Sequence, residues 1–221
     1  MLAITLMKAI SKAPPPSVVQ RLTKYLAQVQ TLCDQGVEWV SSMELAETLG
    51  LTSSTVRQDL SYLDFSGTSK RGYATAGLSQ VLKGALGADI GWNMVVVGAG
   101  NLGRALALHE EFVRRGFNIV GIFDNDPKLV GRRIGRLTVQ GMRDMPAVIG
   151  EKNVAIGVIA VPAPAAQNVS DILIASGIKG LLNLSLAHLI APSRVAIIHS
   201  RMVASLMELT HAIVLGQRLT P

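Results

Sequence analysis

The sequence predicts an α/β protein with an N-terminal winged-helix (helix-turn-helix) domain, a Rossmann-type doubly wound parallel sheet and a C-terminal helix. Two observations carry this prediction. Residues 17–63 form three short helical segments separated by glycine turns, which is the helix-turn-helix pattern. From Gly91 onward, runs that are apolar on both faces alternate with helical segments, as is typical of a buried parallel sheet.

In the N-terminal part, the first helical stripe stops at Gly36, and Ser41 with Glu44 has the spacing of a capping box for the second helix. Thr52 or Ser53 is expected to cap the third helix. Its inner face is expected to consist of Val56, Leu60 and Leu63. The glycine-punctuated stretch "SGTSKRGYATAGL" suits a β-wing, and "LSQVLKGALGAD" is expected to form a linker helix.

The second part contains five strand-like runs, which are "NMVVVG", "FNIVGIFD", "VAIGVIAVP", "GLLNLS" and "VAIIHS". Helices are expected near residues 101–115, 141–150, 163–176 and 201–216. The predicted organisation is a flexible leader (1–16), a winged-helix DNA-binding domain (17–89), a Rossmann dinucleotide-binding domain (90–200) and a C-terminal dimer-exchange helix (201–221).

A glycine fingerprint follows the first apolar run. Gly98, Gly100 and Gly103 make G-x-G-x-x-G, directly after "MVVV" and at the start of a helix. In such a motif the first glycine makes the tight turn, the second lets the backbone approach a pyrophosphate, and the third lets the helix pack on the strand. Asp124 ends the next strand, where a carboxylate can hold both ribose hydroxyls of NAD(H) and repel the 2′-phosphate of NADP(H). A flavin site, an S-adenosylmethionine site and a turn without ligand remain alternatives.

Groups for catalysis are scarce beside this fingerprint. The chain has four histidines, and none has a partnered aspartate at a suggestive spacing: His109, His188, His199 and His211. No Cys/His/Asp cluster in the sequence has the spacing of metal ligands. We therefore expect that the protein is not an enzyme. An NAD-dependent oxidoreductase with an appended DNA-binding domain remains the alternative.

Composition restricts the class of protein further. The 221 residues are 49% hydrophobic with a formal net charge of +6, but the excess of basic residues does not lie in the predicted DNA-binding segment. A single cysteine, Cys33, favours a reducing cytoplasm and packing rather than redox chemistry. No apolar run reaches the roughly 18 residues of a membrane span, and no signal peptide is expected.

Several stretches together resemble one family. "SSMELAETLGLTSSTVRQDLSYL", "SKRGYATAGL", "VGAGNLGRALA", "FDNDPKLVG" and "VPAPAAQNVSDILIASGIKGLLNLS" are similar, in this order, to the Rex redox-sensing transcriptional repressors of bacteria. The resemblance covers residues 17–216. It implies a homodimer that binds double-stranded operator DNA, takes NAD(H) as a regulatory ligand, and exchanges its C-terminal helix with its partner. Binding of NADH would release the DNA.

The resemblance also assigns residues. The DNA-facing residues would be Ser53, Ser54 and Arg57 on the recognition helix (53–63), with Lys70, Arg71 and Tyr73 on the wing. A salt bridge of Arg57 to Asp59 or Asp64 and a solvated turn at Lys70 and Arg71 are the structural alternatives. The cofactor-binding residues would be Gly98, Ala99, Gly100, Asn101, Leu102, Gly103, Asp124, Val161, Pro162 and Ala163.

The sequence departs from the family pattern at two places. Leu184 and Leu186 stand where the family has an aromatic residue and a proline near the cofactor. Arg201 stands where the family has an aspartate that pairs with the first-helix arginine, here Arg21. Because two cations repel, Arg21 and Arg201 are candidate switch residues, and the redox switch would be weakened or wired differently.

A DNA-binding protein whose Rossmann domain serves only dimerisation is a third interpretation of the sequence. The apolar last helix is expected to be buried, by exchange with a partner subunit or by docking onto its own domain.

Overall fold

A computed structural model describes residues 12–200 and 202–216. The chain divides into two compact units, with a boundary between Ile90 and Gly91 and a second boundary before Leu215. Most of the predicted leader lies outside the described residues, and so does Arg201. Among the described helices, none has the length and apolar character needed to cross a membrane.

Within the described residues, the N-terminal unit contains four helices and a two-stranded antiparallel ladder. Its elements are α1 (Pro16–Asp34), β1 (Trp39–Val40), α2 (Ser42–Thr48), α3 (Ser53–Leu60), β2 (Tyr73–Ala74) and α4 (Thr75–Leu86). Helix α2 begins with the predicted capping box, because the Ser41 side chain accepts from the Glu44 N–H while the Glu44 carboxylate accepts from the Ser41 N–H. Thr52, rather than Ser53, caps α3.

One apolar core holds this unit together. Val56, Leu60 and Leu63 are buried as predicted, although α3 ends at Leu60 and Leu63 follows a two-residue turn. The helix predicted for residues 78–89 is present as α4 (Thr75–Leu86), but it is a core helix of this unit rather than a linker. Leu78 and Leu82 of α4 are fully buried in the same core, since their spacing of four residues puts both on the face that packs against this core.

The second unit is a seven-stranded sheet with helices. Its elements are β3 (Trp92–Val97), α5 (Asn101–Leu108), α6 (Glu110–Arg114), β4 (Phe117–Asp124), β5 (Arg133–Ile134), β6 (Leu137–Gly141), a 3₁₀ turn (Met142–Asp144), α7 (Met145–Glu151), β7 (Ile156–Ile159), α8 (Ala163–Ala175), β8 (Gly180–Asn183), β9 (Ala196–His199) and α9 (Met202–Leu215).

The strand order confirms the predicted fold class. The order is β5-β6-β4-β3-β7-β8-β9, and every neighbouring pair is parallel except β5 with β6. Without the edge strand β5, this is the 3-2-1-4-5-6 order of a Rossmann sheet. The chain leaves β3 toward β4 on one side and reaches β7 on the other. The crevice at the carboxyl ends of β3 and β7 is therefore the expected place for a ligand.

Two details differ from the sequence prediction. The expected helix over 101–115 is broken at His109, which has an extended backbone (φ −84°, ψ 106°). Its ring Nδ1 accepts from the Glu111 N–H, so the imidazole caps α6 and replaces the missing helical partner. The antiparallel pair β5–β6 was not predicted, because "RRIGRLTVQG" has no continuous apolar run.

Helix α9 presents its apolar side chains to solvent. Every described residue of this helix except Ala212 is exposed, including Leu206, Met207 and Ile213. In a single chain, the alternative that this helix docks onto its own domain is therefore wrong. A helix with this composition needs a partner surface.

Candidate dinucleotide and nucleic-acid sites

The glycine loop joins β3 to α5 as the fingerprint requires. Gly98 has a φ of +105°, which L-residues rarely adopt, and a Cβ at this position would overlap the Ala160 carbonyl. A Cβ on Gly103 would overlap the Gly98 carbonyl oxygen. Gly100 differs from both, since it has an extended backbone and a Cβ there would meet nothing within 4 Å. Gly98 and Gly103 are therefore required by close contacts within the protein, while Gly100 faces open space.

Asp124 organises this loop from the end of β4. Its Oδ2 accepts from the Ala99 N–H at 2.7 Å, and its Oδ1 accepts from the Asp126 N–H at 2.9 Å. A carboxylate oxygen has more than one lone pair, so these bonds fix the position of Asp124 without exhausting its capacity to accept from ribose hydroxyls. The fixed negative charge lies beside the loop that leads into the helix N-terminus.

A cleft of about 590 Å³ opens at this edge of the sheet. Of the predicted cofactor residues, it is lined by Gly98, Gly100, Asp124, Val161 and Pro162. Ala99, Asn101, Leu102 and Gly103 continue the loop into α5, and Ala163 opens α8. The first-turn N–H groups of α5 have no acceptor within their own helix and provide a site for an anion.

Sequence reasoning missed the rest of the lining, to which the segments after β4 and β6 and helix α8 contribute most. These residues are Val97, Asn125, Asp126, Leu129, Met142, Ala160, Ala165, Asn168, Val169 and Ile172. Four of them, Leu129, Met142, Val169 and Ile172, add apolar side chains to the cleft that also contains the Asp124 carboxylate. An apolar residue directly after a strand end is the signal that could have found Met142, but strand β6 itself was not predicted.

Buried Asn183 shapes the loop that carries Leu184 and Leu186. Its Oδ1 accepts from both the N–H and the hydroxyl of Ser185, and its Nδ2 donates to the Ala187 carbonyl. Leu184 is half-buried, while Leu186 is 70% exposed. His188 and His199 stack nearby with ring centroids 5.5 Å apart, and His199 contacts Asn183. The turn therefore keeps a defined shape without the aromatic residue and proline of the family pattern.

The N-terminal unit presents the predicted recognition helix α3. Ser54 and Arg57 are exposed on it, and Ser53 is half-buried. Arg57 Nη1 donates to Ser42 Oγ at 3.1 Å, so the expected alternative of a salt bridge to Asp59 or Asp64 is not what the structure contains. Burial raises the pKa of Tyr73, and the nearby Arg57 acts on that pKa in the opposite direction. Arg57 thus lies between the start of α2 and the wing strand.

The wing is a tight turn from Thr68 to Gly72. Lys70 stands at its tip with a left-handed backbone (φ 62°), and both Lys70 and Arg71 are exposed. Arg71 lies over the ring of Trp39, and Tyr73 stacks on Phe65 with centroids 6.3 Å apart. The structure therefore brings the predicted DNA-facing residues of α3 and of the wing into one unit, in which Arg57, Arg71 and Tyr73 are held by neighbouring side chains.

Arg21 has a strong partner within its own unit. Its Nε and Nη2 donate to the two oxygens of Asp59 at 2.6 and 2.7 Å, and the Tyr25 hydroxyl donates to Asp59 Oδ2 at 2.7 Å. The Asp59 carboxylate is 2% exposed. Its hydrogen bond raises the pKa of Arg21, and burial together with the bond to Asp59 raises the pKa of Tyr25. This cluster ties α1 to α3, and the relation of Arg21 to Arg201 stays a prediction.

Two family models match the two units. Residues 14–61 match a model described as a putative DNA-binding protein N-terminus, and residues 89–187 match a model described as a CoA binding domain. A redox-sensing transcriptional repressor Rex from Syntrophomonas wolfei is 39% identical over 204 residues, which cover 92% of this chain and 97% of the relative. The chain belongs to the Rex family. A Rex protein from Carboxydothermus hydrogenoformans is 40% identical over 89% of this chain and 94% of its own.

Solved Rex-family structures agree in fold. The repressor RSP in complex with β-NAD⁺ and operator DNA matches with a TM-score of 0.87 and 32% identity, over 92% of this chain and 94% of RSP. RSP in complex with β-NADH matches with a TM-score of 0.84 at the same identity, over 92% of this chain and 95% of RSP. These relatives are repressors by name. The predicted Rex resemblance, drawn from motifs spread along the chain, is confirmed.

Proposed function

We propose that this protein is a homodimeric transcriptional repressor whose affinity for operator DNA is set by NADH and NAD⁺, with NADH releasing the DNA. One observation carries the proposal: a winged-helix unit and a dinucleotide cleft share one chain, in a family whose member RSP has been solved with both nucleotides and with operator DNA. Such a protein acts on DNA in the cytoplasm. Residues 17–89 would bind DNA, 90–200 the nucleotide, and 201–221 the partner.

The exposed groups of the N-terminal unit support DNA binding. Recognition helix α3 offers Ser53, Ser54 and Arg57 to a major groove, where a guanidinium can bind a guanine edge in bidentate fashion. The wing offers Lys70 and Arg71 to phosphates or to the minor groove. Two such units in a dimer would bind two half-sites separated by whole helical turns.

The residues that line the cleft support the view that a bound nucleotide acts as a regulatory ligand rather than as a substrate in a reaction. Among the described residues that line it, the ionisable ones are Asp124 and Asp126, both on the ribose side. The opposite wall, formed by Ala160, Val161 and Pro162, carries no proton donor or acceptor other than backbone. Hydride transfer to a carbonyl needs a group that moves a proton beside the nicotinamide. The cleft residues fit NAD(H) binding, in which Asp124 would accept from the ribose hydroxyls and the N-terminus of α5 would hold the pyrophosphate.

NADH can release DNA only through a difference in affinity for two conformations. To lower operator affinity about 100-fold, NADH must bind the DNA-free form about 100-fold more tightly than the DNA-bound form. The test uses a duplex selected from a random library with the wild-type protein, at constant total nucleotide and varied NADH/NAD⁺ ratio. We expect the bound fraction to fall as NADH replaces NAD⁺. Equal binding at all ratios would leave a DNA-binding protein without a redox switch.

Dimerisation is supported by two apolar surfaces of the same chain. Helix α9 exposes its apolar residues, and one face of the sheet carries an apolar groove of about 390 Å³. The groove is lined mainly by side chains of β3, β7, β8 and β9 and of the helical segment after β3, among them Val96, Phe112, Val158, Leu182 and Ile198. We infer that α9 of one subunit packs into the groove of the other, which would bury both surfaces by exchange.

Charges placed in this interface are expected to separate the subunits. The double variant Leu206→Glu/Ile213→Glu, or Ile198→Glu in the groove, should be monomeric at concentrations where the wild type is dimeric, because each change buries an unpaired carboxylate. Light scattering coupled to size exclusion gives the mass. Glu208→Lys on the same helix is the charge-changing control and should remain dimeric. A Leu206→Glu/Ile213→Glu dimer would contradict the exchange.

A further inference from the structure

The wing arginine lies on a tryptophan of the neighbouring strand. Arg71 Cζ is 4.1 Å from the centroid of the Trp39 ring. Trp39 is half-buried in β1, while Arg71 is exposed. A cation at this distance over the face of an indole, which is the best aromatic partner for a cation, is held by the ring quadrupole.

The backbone fixes both members of this pair. Strand β1 pairs with β2 in the register Trp39↔Ala74, which brings the indole beside the base of the wing. The wing turn is closed at its ends, since the Thr68 N–H donates to the Gly72 carbonyl at 2.7 Å and the Gly72 N–H donates back at 2.9 Å. Arg71 therefore emerges from a closed turn directly above a ring that is fixed in a ladder.

The contact with Trp39 is compatible with hydrogen bonding by Arg71. A guanidinium carries its five N–H donors in its plane, so a cation held over an aromatic ring by its charge can still donate to phosphate or base acceptors. An arginine that is already confined to few rotamers also loses less conformational entropy on binding than one that moves freely. Lys70, at the tip of the same turn, has a compact charge and no planar group that could stack in this way.

We propose that Trp39 is a positioning residue for DNA binding, which orients Arg71 for contact with the phosphates or minor groove of the operator. The proposal rests on the proposed DNA-binding function and adds a residue that none of the predicted DNA contacts includes. Trp39 acts through Arg71. The effect of replacing Trp39 on DNA affinity must therefore depend on the presence of Arg71. Replacement by another aromatic residue must leave the affinity nearly unchanged. A residue that only packs against the wing would meet neither condition.

The test is a double-mutant cycle on the selected duplex, measured by fluorescence anisotropy. We expect Trp39→Leu to weaken binding about 5-fold to 10-fold and Trp39→Phe to stay within about 3-fold of the wild type. In an Arg71→Ala background, Trp39→Leu should change the affinity by less than about 2-fold. Far-UV circular dichroism, which includes the helices of the N-terminal unit, serves as the control for intact fold in every variant.

The Arg71→Lys variant tests the same positioning role if the Trp39→Leu variant does not fold. This variant retains the charge but not the planar guanidinium, and it should lose about as much affinity as Trp39→Leu. Wild-type affinity of Arg71→Lys, or an equal loss from Trp39→Leu with and without Arg71, would overturn the positioning role. If the wild-type protein selects no duplex at all, the proposed function fails instead, so the two failures are distinguishable.

Discussion

Arg21→Met is expected to lower the free energy of unfolding of the N-terminal unit by about 3 kcal/mol, because it leaves the Asp59 carboxylate without its cation. That carboxylate is 2% exposed and would keep, among the described side chains, the hydroxyl of Tyr25 as its donor. Methionine preserves the apolar stem of the arginine, so the decrease in the free energy of unfolding measures the contribution of the ion pair. Asp59 belongs to α3, and operator affinity should therefore fall as well.

Urea unfolding followed by Trp39 fluorescence, in a Trp92→Phe background, isolates this unit within the full chain. Lys24→Met is the matched control, since Lys24 is an exposed cation on the same helix, and it should stay within about 0.5 kcal/mol of the wild type. Arg21→Met/Asp59→Leu, which removes both charges, should recover much of the loss. An Arg21→Met protein as stable as the control would show that the pair does not hold α3 in place.

Gly100→Val is expected to fold normally and to lose about 100-fold or more in affinity for NADH. Gly100 has φ −68° and ψ −170°, which valine adopts without strain, and a Cβ there meets no protein atom within 4 Å. The Cβ would point into the open cleft that is proposed to hold the pyrophosphate, so the valine should obstruct that group rather than the fold. Operator binding by this variant should no longer respond to NADH, while DNA affinity without nucleotide should equal that of the wild type.

Titration of NADH fluorescence measures this loss, and thermal unfolding verifies the fold. Gly150→Val is the matched control, because a Cβ at Gly150 also meets nothing within 4 Å and its position on α7 is outside the cleft lining. It should bind NADH like the wild type. If Gly100→Val did so too, the dinucleotide would have to bind elsewhere.

Local patterns predicted the parts of this molecule that depend on short sequence separation. The fingerprint from Gly98 to Gly103 is a strand, a turn and a helix within a few residues, so its geometry follows from spacing alone. The capping box of Ser41 and Glu44 was predicted for the same reason. Rossmann strands were recognised because burial on both faces makes them continuously apolar.

Contacts between distant segments were not predictable in this way. Arg21 and Asp59 are 38 residues apart, and no spacing rule joins them. Asp59 was considered only as a partner for Arg57, because that pair is near in sequence. The short strand β6, which has no continuous apolar run, was missed, and with it the role of Met142 in the cleft. Asn183 was missed because its importance comes from being buried at the base of a turn.

The most direct test of the central claim is the affinity for NADH measured with and without the selected duplex. Linkage requires that the nucleotide and the DNA change each other's affinity by the same factor. We expect saturating duplex to raise the Kd for NADH by the factor by which NADH weakens DNA binding, and to affect the Kd for NAD⁺ much less. A Kd for NADH that is identical in the presence and absence of DNA would contradict the claim that the Rossmann cleft controls the winged-helix units.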